Sequence, residues 1–224
     1  MILKEQQADG GILPMSEIIV RSMALGPVGA NCYFAYVKES DRCIIIDAPG
    51  EADRIIKGLC GLSLVPEAVL LTHSHFDHIG AADALRERYR IPVCCHEAEK
   101  ELLMSPAMNL TEMTGRGYGI KPDRTFADGQ EFSAAGIKIR VIHTPGHTAG
   151  GACYYLWENG IIFSGDTLFY ESVGRTDFPT GSMNLLISSI KEKLMILPEE
   201  TVVYPGHNES TDIGHERRHN PYLL

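Results

Sequence analysis

The most informative segment of the chain is Leu70-Leu71-Thr72-His73-Ser74-His75-Phe76-Asp77-His78. It holds three histidines and one aspartate, directly after an apolar run and before a helical pattern. Imidazole and carboxylate groups are the ligands that zinc and similar divalent ions prefer. Alternate side chains of an extended chain share a face, so His73 and His75 can point at one ion. If the chain turns after residue 76, Asp77 and His78 point toward a second position nearby. The motif can therefore supply ligands to two adjacent metal sites.

The composition narrows the class of protein. The 224 residues, 44% hydrophobic and 22% charged, predict a single domain over residues 17–224 after a flexible lead-in at 1–16. A net charge of −9 argues against nucleic-acid and membrane partners, and no apolar run is long enough to span a membrane. The six cysteines form no CxxC pair, and the N-terminal residues lack the apolar run of a signal peptide. These features predict a cytoplasmic protein with reduced thiols.

Apolar periodicity divides the chain into two similar halves, each a sheet with covering helices, in an α/β fold. In the first half, strands are predicted at 17–24, 31–37, 43–47, 68–71 and 92–96, and helices at 51–59, 81–88 and 97–104. In the second half, strands are predicted at 124–126, 130–132, 137–143, 153–157, 161–164 and 201–204, and a helix at 182–197. Residues 105–122 have no clear period and are predicted to form a mobile flap or the rim of a pocket.

Three further metal-ligand candidates follow predicted strands of the second half. They are His147, Asp166 and His207, each placed after a small or turn-forming residue. Loops at strand ends converge in space in sandwich folds, so these side chains can join the histidine motif. The four segments together predict one constellation of metal-binding groups.

At this point the chain resembles the metallo-β-lactamase superfamily. The matching segments occur in the correct order and read THSHFDH (72–78), TPGHTAGG (144–151), SGDTLF (164–169) and YPGH (204–207). Within the superfamily the chain is most similar to glyoxalase II-like hydrolases of the short bacterial type, through GRTDFP (174–179) and IGHER (213–217). The resemblance implies an αββα four-layer sandwich with the site at one edge of its two sheets.

The resemblance also implies a ligand set for two divalent ions, zinc before iron or manganese. Motif position assigns one ion to His73, His75 and His147, and the other ion to Asp77, His78 and His207. Asp166 would bridge the two ions. Such a site leaves room for a hydroxide between the ions. Asp77 and Asp166 are therefore the implied catalytic carboxylates.

Two reactions on a small-molecule substrate fit this resemblance. The first is hydrolysis of a thioester, such as S-hydroxyacylglutathione, by the bridging hydroxide. Longer glyoxalase II enzymes add a C-terminal helical region that helps to grip glutathione, whereas this sequence has seventeen residues after His207. The part that recognises the thiol is therefore expected to be missing or supplied differently. The second is a mononuclear-iron persulfide dioxygenase, which uses the equivalents of His73, His147 and Asp166. The sequence carries no prediction of oligomeric state.

Other polar residues have a structural interpretation beside a functional one. Arg175 is expected either to clamp a substrate carboxylate or to form a plain ion pair. His96 and His143 are predicted to be structural, and the adjacent Cys94 and Cys95 to pack in a strand. The remaining pair, His215 and His219, is predicted to lie on a solvated helix face or to pack behind the site.

Overall fold

The computed structural model describes residues 17–224, and the lead-in predicted for residues 1–16 lies outside this part of the chain. The described chain forms two six-stranded sheets that pack face to face, with helices against both outer faces. The predicted αββα sandwich is therefore confirmed.

The first half of the chain supplies one sheet, whose strand order follows the chain order. Its strands are β1 (Ile18–Leu25), β2 (Ala30–Val37), β3 (Arg42–Ile46), β4 (Val65–Leu70), β5 (Val93–His96) and β6 (Arg124–Phe126). The strands from β1 to β3 are antiparallel, whereas those from β3 to β6 run parallel. Parallel pairs need crossover connections, which here contain α1 (Ala52–Gly61), α2 (Phe76–Ile79), α3 (Ala82–Tyr89) and α4 (Lys100–Met104).

The second half supplies the other sheet, in the order β14-β13-β10-β9-β8-β7. Its strands are β7 (Glu131–Ala134), β8 (Ile137–His143), β9 (Ala152–Leu156), β10 (Ile161–Gly165), β13 (Val202–Pro205) and β14 (Thr211–Asp212). A small hairpin of β11 (Leu168–Phe169) and β12 (Ser172–Val173) lies between β10 and β13 in the chain. The last helices are α5 (Met183–Ser189) and α6 (Ile213–His219).

Three apolar clusters correspond to the three interfaces between layers. Strand β3 shows the alternation that builds them, because Cys43 and Ile45 face the helices while Ile44 and Ile46 face the other sheet. On the far side of the second sheet, Leu186 of α5 is fully buried in the third cluster. The apolar packing between the sheets therefore fixes how the two halves of the chain meet.

The structure corrects some predicted element boundaries. The helix predicted at 182–197 is α5 followed by a π-helical turn at Ile190–Leu194. Strands β11, β12 and β14 were not predicted, because two residues are too few to show an alternating pattern. Residues 105–122 contain only a short 3₁₀ helix at Thr111–Thr114.

The cysteines lie mostly in the interior of this part of the chain. All six cysteines are free thiols, and five of them are buried, with Cys60 exposed. Burial raises the pKa of both Cys94 and Cys95, so their thiols are un-ionised packing groups, as predicted. No helix within residues 17–224 combines the length and the apolar character needed to cross a bilayer.

One buried hydrogen bond ties the second sheet to the histidine stretch. The hydroxyl of Tyr154, a fully buried residue between the sheets, donates to the Leu71 carbonyl oxygen at 2.9 Å. Replacing Tyr154 with Phe removes the donor and leaves a buried carbonyl oxygen without it. We expect Tyr154→Phe to lower the free energy of unfolding by about 1–2 kcal/mol in urea titrations. The exposed Tyr222→Phe is the matched control, and equal losses in both variants would contradict this assignment.

Candidate metal centre

All seven predicted metal ligands lie just beyond the carboxyl ends of strands. Strand β4 leads into the histidine stretch, while β8, β10 and β13 lead to His147, Asp166 and His207. These last three strands run in the same direction, so their carboxyl ends meet at one end of the second sheet. Strand direction therefore explains why residues far apart in sequence converge.

The first group of ligand atoms comes from three histidines. His147 Nε2 lies 3.2 Å from His73 Nε2 and 2.9 Å from His75 Nδ1. Two nitrogens bound to one tetrahedral ion at about 2.0–2.1 Å are separated by about 3.3 Å. The three side chains are buried and their nitrogens have the spacing of metal ligands.

The second group combines Asp77, His78 and His207. His207 Nε2 lies 3.3 Å from Asp77 Oδ2 and 3.4 Å from His78 Nε2. The remaining pair, His78 Nε2 and Asp77 Oδ2, is 3.8 Å apart. This group also has the donor types and spacing that a divalent ion requires.

Asp166 lies between the two groups. Its Oδ1 is 3.4 Å from His78 Nε2, and its Oδ2 is 3.6 Å from His147 Nε2 and 3.7 Å from His207 Nε2. Oδ1 is buried and makes no hydrogen bond to any of residues 17–224. A buried carboxylate oxygen without a hydrogen-bond donor fits a site built for a cation.

Hydrogen bonds to the opposite ring nitrogens set the histidine tautomers. His147 Nδ1 donates to the Arg175 carbonyl oxygen at 2.7 Å, and His78 Nδ1 lies 2.8 Å from Asp47 Oδ2. In the neutral form of each ring, the contact places the proton on Nδ1 and leaves the Nε2 lone pair to bind a metal, so that a metal at His78 would replace its Nε2 proton.

Electrostatics differ between the two groups. Burial, together with the neighbouring His147, lowers the pKa of His75 to about 3, so its imidazole is neutral, the form that binds metals. Burial also opposes the charge on His78, but Asp47 and Asp166 outweigh it and raise the pKa to about 10. For Asp77, burial is outweighed by His207 and His78, which lower the pKa below its usual value. The second group is therefore the more strongly charged one.

Asp47 is a functional residue that the sequence interpretation missed. Its carboxylate accepts hydrogen bonds from the Thr72 amide at 2.8 Å and the Thr72 hydroxyl at 2.7 Å, besides contacting His78. The residue has a φ of 55°, in the left-handed region. Asp47 follows β3 directly, and the strand-end pattern that identified Asp166 could have identified it.

Glu99 was also missed, because it lies in a charged segment with no distinctive pattern. Its carboxylate is fully buried and accepts four hydrogen bonds of 2.6–2.9 Å. Two come from Ser74, between the first two histidines, and the others from Thr148 and Gly150, beside His147. Burial raises the pKa of Glu99, although these donors counteract it. Glu99 therefore links the loops that present the first group.

Two glycines allow neighbouring segments of the centre to approach each other closely. A Cβ atom on Gly206 would collide with Asp166 Oδ1, and one on Gly165, at a φ of 49°, would collide with the Thr72 side chain. Only glycine fits these positions, which lets β10 and β13 bring their ligands together.

The centre opens into a cavity of about 750 Å³. Five of the predicted ligands line it, whereas His73 and His78 are buried behind them. Leu110 and Met113 of the segment at 105–122 also line the cavity, which confirms that this segment forms part of a pocket rim. The volume suits a small molecule.

The other polar residues named from the sequence have identifiable partners. The Arg175 side chain lines the cavity and forms a two-point ion pair with Asp177. The ring of His143 stacks on His96 at 4.0 Å and contacts the Ala149 carbonyl oxygen. The ring of His215 stacks on Tyr170 of the cavity wall, which agrees with packing behind the site.

A four-layer sandwich with histidine and carboxylate clusters at one end defines a class of metal-dependent hydrolases. The family model of the metallo-β-lactamase superfamily matches residues 25–207. The chain belongs to the metallo-β-lactamase superfamily.

Two relatives carry hydrolase descriptions. The chain is 40% identical over 206 residues to the probable metallo-hydrolase YqgX of Bacillus subtilis, covering 91% of this chain and 96% of YqgX. It is 37% identical over 201 residues to the hydroxyacylglutathione hydrolase GloC of Haemophilus influenzae, covering 86% and 92%. These similarities support a metal-dependent hydrolase.

Solved structures show the same fold. The BLEG-1 B3 metallo-β-lactamase matches with a TM-score of 0.87 and 40% identity, over 92% of this chain and 100% of that one. TTHA1623 in a di-iron-bound form matches with a TM-score of 0.80 and 35% identity, over 91% of this chain and 100% of that one. ETHE1 from Myxococcus xanthus matches with a TM-score of 0.72 and 30% identity, over 91% of this chain and 83% of that one.

The buried Glu99 link supplies a test of the centre. Glu99→Gln keeps the shape of the side chain but replaces one acceptor oxygen with an NH₂ donor. This donor would face the donor groups of Ser74, or those of Thr148 and Gly150. We expect zinc affinity, measured by chelator competition, to fall by about 10–100-fold. The exposed Glu97→Gln is the matched control and should bind as the unaltered protein does. Equal affinities in both variants would show that Glu99 does not position the histidines.

Proposed function

We propose that this protein hydrolyses small thioesters at a centre of two divalent metal ions, with residues 17–224 acting as one catalytic domain. The observation that carries the proposal is the meeting of two ligand groups and a shared carboxylate beside one cavity. The similarity to a hydroxyacylglutathione hydrolase supports the thioester class.

In this proposal the seven residues divide as the resemblance implied. His73, His75 and His147 would hold the first ion and Asp77, His78 and His207 the second, while Asp166 would contribute to both. Zinc is the proposed metal, with iron or manganese as alternatives, since imidazole and carboxylate ligands suit all three. When bound, such ions make water nucleophilic near neutral pH and polarise a carbonyl oxygen.

The protein's own groups then position the reactants. Asp77 and Asp166 are the proposed catalytic carboxylates, and both line the cavity. The lowered pKa of Asp77 keeps it ionised, so it can accept a hydrogen bond from a water molecule in the cavity. The apolar Val173 and Phe178 side chains in the wall limit the space for bulk water.

A persulfide dioxygenase using one iron ion is the second candidate. It is favoured by the similarity to ETHE1 and by the segment Gly174-Arg175-Thr176-Asp177-Phe178. In that reaction the equivalents of His73, His147 and Asp166 would bind the iron, and the second group would hold no ion.

Metal analysis separates the two candidates. We expect elemental analysis of the purified protein to find about two ions per chain, because both ligand groups are complete. Release of thiol from S-lactoylglutathione and from uncharged thioesters is then measured beside oxygen uptake with a persulfide. One iron ion per chain together with oxygen consumption would overturn the hydrolase proposal.

Variants of the second ligand group test the dinuclear mechanism. We expect Asp77→Ala and His78→Ala each to reduce kcat/KM for thioesters by more than about 100-fold while the protein stays folded, as judged by circular dichroism. The exposed Asp53→Ala and His219→Ala are matched controls. Retained activity in both ligand variants would indicate a mechanism that needs one ion only.

A further inference from the structure

Away from the proposed metal ions, the cavity wall offers little to attract a negatively charged substrate carrier. Apart from the predicted metal ligands, the charged side chains among its described lining residues are Arg175 and Glu209. Glu209 is itself negative, and the whole chain has a net charge of −9. Away from the proposed ions, Arg175 is therefore the one cationic side chain in this described lining that could pair with a carboxylate or phosphate of the carrier.

Arg175 already has a carboxylate partner. Its Nε and one terminal nitrogen each lie 2.6 Å from an oxygen of Asp177, which occupies one edge of the planar guanidinium. The guanidinium also lies over the Phe178 ring, 4.1 Å from its centroid. The pair as a unit is neutral, so its attraction for a further carboxylate is weaker than that of a free guanidinium.

The rim of the cavity is instead apolar. Val28, Met113 and Tyr170 line it from three separate loops and are 53%, 72% and 42% exposed. Leu110, Phe169 and Phe178 extend the apolar surface inward. Exposed apolar side chains that converge on one opening mark a binding surface for an apolar group.

We propose that this site takes thioesters with an uncharged, apolar thiol carrier rather than thioesters of glutathione. The inference rests on the proposed thioesterase function and specifies its substrate class. Water adds its oxygen to the carbonyl carbon and the carbon–sulfur bond breaks. The products are a carboxylate, a free thiol and one proton. Glutathione carries two carboxylates, and the only charged side chains that the described wall offers beyond the predicted ligands are Glu209 and the already paired Arg175.

The first test compares substrates that differ only in the thiol. S-lactoyl-N-acetylcysteamine and S-lactoylglutathione carry the same acyl group on a neutral and on an anionic carrier. We expect kcat/KM to be about tenfold higher for the neutral substrate and to rise further, roughly threefold per methylene, when the carrier is extended by an alkyl chain. A higher kcat/KM for S-lactoylglutathione would overturn the inference.

Binding measurements keep the inference separate from the thioesterase proposal. S-octyl-N-acetylcysteamine and S-octylglutathione are thioethers that cannot be hydrolysed, and calorimetry reports their affinities without turnover. We expect the neutral compound to bind about tenfold more tightly. If neither thioester is hydrolysed but this preference holds, the thioesterase proposal fails and the carrier preference stands; equal or reversed affinities overturn the preference itself.

A variant of the Arg175–Asp177 ion pair tests whether this pair causes the preference for a neutral carrier. Asp177→Asn releases the Arg175 guanidinium, and we expect binding of S-octylglutathione to strengthen about tenfold while binding of the neutral thioether changes by less than about twofold. The control Glu158→Gln removes one negative charge from another exposed pair, with Lys138, and should change neither affinity. If Asp177→Asn leaves S-octylglutathione binding unchanged, the paired Arg175 is not what excludes the anionic carrier.

Discussion

The packing of two apolar sheet faces against each other is the constraint on which the metal centre depends. Neither sheet carries a complete ligand group: the histidine stretch follows β4 of the first sheet, and His147, Asp166 and His207 follow strands of the second. The buried layer between them, with Tyr154 at its centre, sets the distance between these strand ends. The 2.9–3.4 Å separations between histidine nitrogens are therefore a result of core packing as much as of loop conformation.

Around the ligands, carboxylates and backbone groups determine which atoms face inward. Asp47 and the Arg175 carbonyl oxygen direct the Nε2 atoms of His78 and His147, while Glu99 holds two loops together from behind. Asp47 and Glu99 both follow parallel strands of the first sheet, β3 and β5, so the strand direction that brings the ligands together also brings their supports. These supports are preorganised because the buried carboxylates of Asp47 and Glu99 are matched by donors.

The sequence allowed the fold and the seven ligand candidates to be predicted because both have local signals. His73, His75, Asp77 and His78 are adjacent in sequence, and each remaining candidate follows a strand and a turn-forming residue. Glu99 had no such signal, since a carboxylate in a charged segment looks like a solvated group until its burial is known. The pairing of Arg175 with Asp177 depends on side-chain rotamers in an exposed loop, and the strands β11, β12 and β14 are too short to show periodicity.

The division of each ligand group between the two sheets has a thermodynamic consequence. An ion bound in either group as proposed would cross-link the halves of the chain, and it would have no equivalent partner in the unfolded state. Binding would then be linked to folding, adding about 4 kcal/mol of stability at a free-ion concentration about 1,000 times the dissociation constant. Removal of the proposed ions would therefore lower the stability of the sandwich. The concentration of available metal in the cell would then influence the lifetime of the folded chain.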